Sequence, residues 1–206
     1  MKPEPRTAKG RQTRRNLLEA AEHVFAELGY QEASITRITE RAGVGQGTFY
    51  LYFDSKLDLF SQLVDDLSSR VRRAMAEGAA PGASRIEVER AGFAGFFRFI
   101  VEHPGLYRII REAEFAAPDA HRRHYTKLSD GYIAGLSRAR AAGEVGDIDP
   151  TVAAWALMGA GELIGKRWVL WNGSPQPLSD DDLDAVVAFV ASALGATTSA
   201  NTRKEN

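Results

Sequence analysis

Apolar residues recur along most of the chain at the three- and four-residue spacing of a helix, and this periodicity constrains the fold more than any other feature. The clearest run is Leu57, Phe60, Val64, Leu67 and Val71, with steps of 3, 4, 3 and 4 residues. Runs with the two-residue alternation of a strand are scarce. The sequence therefore predicts an all-α protein of about nine helices.

Residues 34–52 predict a helix-turn-helix. Ser34 is a suitable N-cap for a first short helix, Gly43 supplies a turn without Cβ strain, and a second short helix covers about Gln46 to Tyr52. Phe49 and Phe53, four residues apart, would anchor the second helix. Its start carries small polar groups and free backbone N–H groups, which can approach bases and phosphates.

The residues around this motif carry a family resemblance. Gly29-Tyr30, residues 34–38 (SITRI) and residues 42–56 (AGVGQGTFYLYFDSK) together resemble the DNA-binding region of the TetR family of transcriptional regulators. The resemblance covers about residues 10–60. It implies an all-α fold, a homodimer and a variable C-terminal domain that often binds a small molecule. Gly45 stands where the family usually has Ser, and Gly is a tolerable N-cap.

The resemblance also implies a set of DNA-binding residues. They are Arg14, Ser34, Thr36, Arg37, Gln46, Gly47, Thr48, Tyr50, Tyr52 and Lys56. Gln46 has the amide that pairs with adenine in the major groove, and Gly47 allows close backbone approach. Tyr50, Tyr52 and Lys56 would contact phosphates. For each residue the alternative is a solvated surface position.

Charge is unevenly distributed along the chain. The whole sequence has a net charge of −1, yet residues 1–16 carry six basic residues and one acidic residue. We expect this basic arm to contact DNA phosphates or to enter the minor groove, the alternative being a solvated disordered tail. The absence of cysteine excludes disulfides, Cys-based zinc sites and a thiol switch.

The central and C-terminal helices are rich in aromatic residues, which predict either core and dimer interface or an effector pocket. The candidate effector-binding residues are Phe93, Phe97, Tyr107, Arg111, Tyr125, Trp155, Met158 and Glu162. Glu162 faces a pocket, an interface or solvent. The last two helices carry small residues and an apolar face, so we expect them to form a four-helix bundle in a homodimer. Such a dimer reads a near-palindromic operator.

These observations predict a flexible basic arm over residues 1–9 and a helix-turn-helix domain over 10–56. A helical ligand-binding and dimerisation domain would cover 57–195, and a disordered tail 196–206. The N-terminus lacks the apolar core of a signal peptide, and no uncharged run is long enough for a membrane span, so we expect a cytoplasmic protein.

The expected function is that of a repressor released from its operator by a small apolar or amphipathic effector. A ligand-independent DNA-binding or architectural protein is the alternative. An enzyme is disfavoured because no catalytic set is apparent, and His121 and His124 suggest surface histidines rather than a metal site. No cofactor is expected.

Overall fold

The computed structural model describes residues 2–171 and 173–196. Within these ranges the chain forms nine α-helices, one π-helical segment and no strand. The helices are α1 (Ala8–Glu32), α2 (Ile35–Arg41), α3 (Gln46–Tyr52), α4 (Lys56–Ala76), α5 (Arg85–Glu102), α6 (Leu106–Ala116), α7 (Pro118–Ala141), α8 (Pro150–Ile164) and α9 (Asp180–Ala193). The all-α prediction is confirmed. Residues 197–206 of the predicted disordered tail lie outside the described residues.

Side-chain caps begin several of these helices. Thr7 accepts a hydrogen bond from the backbone N–H of Gly10, so α1 begins at Ala8 and includes the last two residues of the predicted arm. Asp149 accepts hydrogen bonds from the first turn of α8, and Ser179 from the first turn of α9. These caps satisfy backbone N–H groups that have no partner within the helix.

The helices divide into two compact units, comprising residues 2–69 with 103–125, and residues 70–102 with 126–196. The predicted boundary after residue 56 therefore differs from the observed division. Residues 57–69 belong to the first unit because Leu59, Phe60 and Leu63 of α4 are fully buried there.

Helix α6 packs on α1 in the first unit, which the sequence did not indicate. Glu112 accepts a hydrogen bond from the backbone N–H of Tyr30 at 2.6 Å. Arg108 donates to the carbonyl oxygens of Ala26 and Glu27, both at 3.0 Å. These bonds hold the end of α1, where Gly29 interrupts the helix with a φ of 81°.

The second unit buries Phe93 and Phe97 of α5 together with Leu157 of α8 and Val190 of α9. Helix α8 continues into the π-helical segment Gly165–Leu170, where the hydrogen-bonding pattern of the helix changes. No helix in the described part of the chain combines the length and the apolarity that a bilayer span requires.

One histidine differs from its predicted environment. His124 is buried, and its Nδ1 lies 2.6 Å from the hydroxyl oxygen of Ser68. The prediction of a surface position was wrong because α7 turns this face towards α4. Among the described residues, no group of three or more His, Asp or Glu side chains is placed to hold a metal ion.

Candidate functional site

The helix-turn-helix is fixed by buried aromatic and aliphatic anchors. Ile38 of α2, Phe49 of α3 and Phe53 are fully buried, and the rings of Phe49 and Phe53 lie 5.6 Å apart. Gly43 has a φ of 67°, a left-handed conformation that glycine adopts at little cost. Anchors and turn together determine which face of α3 remains accessible.

A hydrogen bond joins the beginnings of the two short helices. The side-chain amide nitrogen of Gln46 donates to the hydroxyl oxygen of Thr36 at 2.7 Å. Both residues are exposed, as are their neighbours Arg37 and Gly47. Four of the predicted DNA-binding residues therefore form one accessible group, which we call the reading surface: Thr36, Arg37, Gln46 and Gly47.

Gly47 and Tyr50 contribute different groups to the exposed surface of α3. A Cβ added at Gly47 would meet no atom within 4 Å, so packing inside the protein does not require glycine there. Tyr50 is 49% exposed and contacts Phe49 edge-on. Thr48 and Tyr52 are half-buried. The hydroxyl of Ser34 caps α2 by accepting the backbone N–H of Arg37 at 3.3 Å.

Lys56 is engaged inside the first unit. Its ammonium group donates to the carbonyl oxygens of Tyr30 at 2.7 Å, Gln31 at 3.2 Å and Ala33 at 2.8 Å. It also lies 4.6 Å from the centre of the Tyr30 ring. All three ammonium protons have acceptors, so Lys56 fastens the start of α4 to the end of α1.

Two ion pairs hold the basic arm against other parts of the first unit. Lys2 forms an ion pair with Asp54 at 3.4 Å. Arg14 of α1 donates to the amide oxygen of Gln62 at 2.6 Å and lies 3.6 Å from the carboxylate of Glu4. These pairs leave Arg6 and Lys9 exposed beside them.

The second unit contains a cavity of about 330 Å³. It is lined by residues of α4, α5, α7 and α8, most of them apolar. Its volume lies in the range of small-molecule binding sites. Phe93 and Met158, two of the eight predicted effector-binding residues, line this cavity.

The other six predicted effector-binding residues are not in the lining. Phe97 is buried in the core, Trp155 is 48% exposed, and Glu162 pairs with Lys166 at 2.5 Å. The remaining three are Tyr107, Arg111 and Tyr125, which belong to the first unit. Helical spacing indicates the apolar face of a helix, but it does not say which helices line the cavity.

A buried polar group on the cavity wall was missed by the sequence analysis. The carboxylate of Glu89 accepts hydrogen bonds from the guanidinium of Arg85, with Nε at 2.8 Å, and from the hydroxyl of Tyr132. Burial and the negative charge of Glu89 raise the pKa of Tyr132 far above its usual value. The four-residue spacing of Arg85 and Glu89 was the available signal.

Residues 17–63 match the family model described as bacterial regulatory proteins of the tetR family. The match spans α2, α3 and the residues that anchor them. The described chain is thus an all-α protein with an N-terminal helix-turn-helix. Over residues 17–63, less than a quarter of its length, the chain is similar to the TetR family of bacterial regulatory proteins.

Individual curated regulators are also similar to part of the chain. The chain is 37% identical over 106 residues to the transcriptional activator FasR of Mycolicibacterium smegmatis, which covers 50% of this chain and 47% of FasR. It is 40% identical over 57 residues to the transcriptional repressor BepR of Brucella suis, covering 28% and 27%. The chain thus spans less than half the length of either relative.

The solved structure of Salmonella enterica GusR is similar over almost the whole chain. It superimposes with a TM-score of 0.78 at 20% identity, covering 92% of this chain and 99% of GusR. At this level of identity the similarity concerns the fold.

Proposed function

We propose that the protein is a DNA-binding transcriptional regulator whose helix α3 reads base edges in the major groove. The observation that carries this proposal is the hydrogen bond from Gln46 to Thr36, which holds the beginnings of α2 and α3 together on the exposed reading surface. Helix-turn-helix proteins contact bases with this part of the second helix.

The residues of this surface have complementary roles in the proposal. Gln46 recognises adenine through its side-chain amide, and Gly47 lets the backbone approach the DNA. Arg37, Tyr50 and the arm donate to phosphates, and each phosphate contact by a cation makes binding more sensitive to salt. Thr36, Thr48 and Tyr52 complete the contact surface.

In this proposal, Arg14, Ser34 and Lys56 support the residues that contact DNA and do not contact it themselves. Ser34 caps α2, and Arg14 is oriented by Gln62 and by Phe53, whose ring centre lies 5.6 Å from its guanidinium carbon. Lys56 holds α4 against the end of α1, as its three carbonyl contacts indicate. Their proposed role is to orient the reading surface.

We propose that two copies assemble through α8, the π-helical segment and α9. Large apolar side chains are exposed on these elements: Val152, Trp155, Leu163, Trp168, Trp171 and Phe189. Large exposed apolar side chains concentrated on the last elements of the chain are typical of a protein interface. Two reading helices related by a two-fold axis then contact half-sites about one turn of DNA apart in a near-palindromic operator.

The cavity of the second unit is the proposed effector site. Helix α4 contains Lys56 near its start and cavity-lining Met75 and Ala76 at its end. An effector that displaces this helix would alter the spacing of the two reading helices. We propose a repressor that releases its operator on effector binding, with a coupling of about 1 to 3 kcal/mol, or roughly 5- to 150-fold in affinity.

The experiment first maps bound DNA in cells and then measures affinity for one recovered site by fluorescence anisotropy. We expect Gln46→Ala to weaken binding about tenfold or more, because a bidentate base contact contributes about 1 to 3 kcal/mol. Gln31→Ala, which replaces an exposed glutamine outside the reading surface, serves as the matched control and should bind like the unmodified protein. Equal affinity of both variants would contradict the proposed role of α3.

A ligand-independent DNA-binding protein is the competing function. The presence of the cavity, with its largely apolar wall, favours the ligand-responsive function over this alternative. If a molecule shown to occupy the cavity left operator affinity unchanged, the competing function would hold.

A further inference from the structure

The charges around the effector cavity are unbalanced. Its wall includes the cations Arg72, Arg85, Lys127 and Arg138 and the carboxylate of Glu89. The rest of the wall is largely apolar, with Phe93, Phe96, Leu128, Leu157 and Met158 among its members. A molecule that fills this cavity therefore meets apolar side chains and an excess of positive charge.

The single carboxylate of this group is already neutralised. The side chain of Glu89 is only 2% exposed and forms an ion pair with Arg85, whose side chain is 9% exposed. Its second oxygen accepts the hydroxyl proton of Tyr132. Because both carboxylate oxygens of Glu89 are engaged, this residue does not balance the other cations of the wall.

Arg72 of α4 is the cation of this wall that the protein leaves incompletely satisfied. Its Nη1 atom is buried, and no acceptor within the described residues lies at hydrogen-bond distance from it. A buried donor of a charged group without an acceptor is unfavourable, and native proteins rarely retain one. Lys127 and Arg138 are exposed and reach water.

We propose that the effector is an amphipathic anion: an apolar body that fills the cavity, with one carboxylate or similar anionic group that accepts hydrogen bonds from Arg72. This inference rests on the proposed effector function of the cavity and adds the chemical class of the ligand. The anion supplies the acceptor that Nη1 lacks, and Lys127 and Arg138 add long-range attraction.

Ligands of equal apolar size should bind with different affinities according to the charge of their polar group. A neutral alcohol leaves the Nη1 atom of Arg72 without an anionic partner, and a cation adds repulsion to a positively charged wall. An amphipathic anion gains a charge-assisted hydrogen bond from the buried Nη1 atom of Arg72.

The test compares three probes of similar length: dodecanoate, dodecanol and dodecyltrimethylammonium. Octanoate and hexadecanoate extend the carboxylate series to smaller and larger ligands. Binding to the full chain is measured by isothermal titration calorimetry below the critical micelle concentration of each probe. We expect at least one carboxylate to bind, about tenfold to a hundredfold tighter than the alcohol or the cation of the same length.

Substitutions in helix α4 test whether Arg72 is responsible for the tighter binding of carboxylates. We expect Arg72→Gln to weaken carboxylate binding about tenfold or more and to leave alcohol binding unchanged. Arg73→Gln is the matched control, since Arg73 is exposed on α4 and does not line the cavity. Thermal unfolding of both variants checks that they fold, and the comparison of probes on the unmodified chain does not depend on any variant.

Two results would overturn the ligand class. One is equal binding of carboxylate, alcohol and cation, and the other is failure of every carboxylate in the series to bind. Operator binding without any probe is measured in parallel. Loss of operator binding there contradicts the proposed regulator itself, so the two failures are distinguishable.

Discussion

The carboxylate of Glu112 in α6 accepts the backbone N–H of Tyr30 at 2.6 Å, immediately after the residue at which α1 breaks its helical geometry. The same carboxylate pairs with Arg108 at 3.0 Å, and Arg108 in turn donates to the carbonyl oxygens of Ala26 and Glu27. Two side chains of α6 thus satisfy both donor and acceptor groups at the kink of α1.

We expect Glu112→Gln to lower the unfolding free energy of the protein by about 1 kcal/mol. The amide keeps an acceptor for Tyr30 but loses the ionic pairing with Arg108, whose partial exposure limits the loss. Urea denaturation measures the change. Glu114→Gln, at an exposed position of the same helix, is the control, and equal midpoints for the two variants would contradict the role of Glu112.

Gly43 and Gly45 are predicted to respond in opposite directions to a side chain. Gly43→Ala should destabilise by about 1 kcal/mol, because its φ of 67° disfavours a Cβ. Gly45 is the N-cap of α3 and has an extended backbone with open space around a Cβ. Gly45→Ser should therefore stabilise by a few tenths of a kcal/mol through the added cap. Thermal unfolding of the two variants measures the expected loss of stability in one and the expected gain in the other.

Gly47 offers a test that separates folding from DNA recognition. Gly47→Ala places a methyl group in open space on a helix, so we expect stability to stay equal or to rise by about 0.5 kcal/mol. Operator affinity should fall about tenfold or more because the backbone can no longer approach the DNA closely. Gln31→Ala, outside the reading surface, is again the control. Undiminished affinity for Gly47→Ala would exclude close approach at this residue.

Local signals made the helix-turn-helix predictable. The cap of Ser34, the positive φ of Gly43 and the anchors Phe49 and Phe53 depend on residues within about one helical turn. The beginning and end of α3 agree with the predicted Gln46 to Tyr52.

The cavity was predictable only in part because its wall comes from helices far apart in sequence. Arg72, Glu89 and Tyr132 lie on α4, α5 and α7. Periodicity shows which face of each helix is apolar, yet it does not show which helix covers that face. For the same reason the sequence does not indicate that Lys56 donates to backbone carbonyls more than twenty residues earlier.

We expect Phe189→Asp to convert the proposed dimer into monomers. Phe189 is 58% exposed on α9, and a carboxylate there would place two negative charges near a two-fold interface without partners. Sedimentation velocity at several concentrations measures the assembly state. Phe115→Asp, which alters an 84% exposed phenylalanine of the first unit, should leave it unchanged. A Phe189→Asp protein that still sedimented as a dimer would place the interface elsewhere.

Because Tyr132 has a raised pKa, we expect the protein to lose stability at alkaline pH. Its pKa is raised in the folded protein by burial and by Glu89, whereas an unfolded tyrosine titrates near pH 10. The raised pKa means that the stabilising contribution is complete below about pH 10 and declines as the pH rises further, because the unfolded chain then loses a proton that the folded chain retains.

We therefore expect the unfolding free energy of the unmodified protein to fall more steeply between about pH 10 and 11 than that of Tyr132→Phe, by up to about 1.4 kcal/mol per pH unit for one proton. The variant is less stable at neutral pH because one oxygen of buried Glu89 loses its donor. Tyr50→Phe, at an exposed tyrosine, is the control and should retain the steep slope. Parallel slopes for the unmodified protein and Tyr132→Phe would mean that Tyr132 ionises as readily in the folded chain as in the unfolded one.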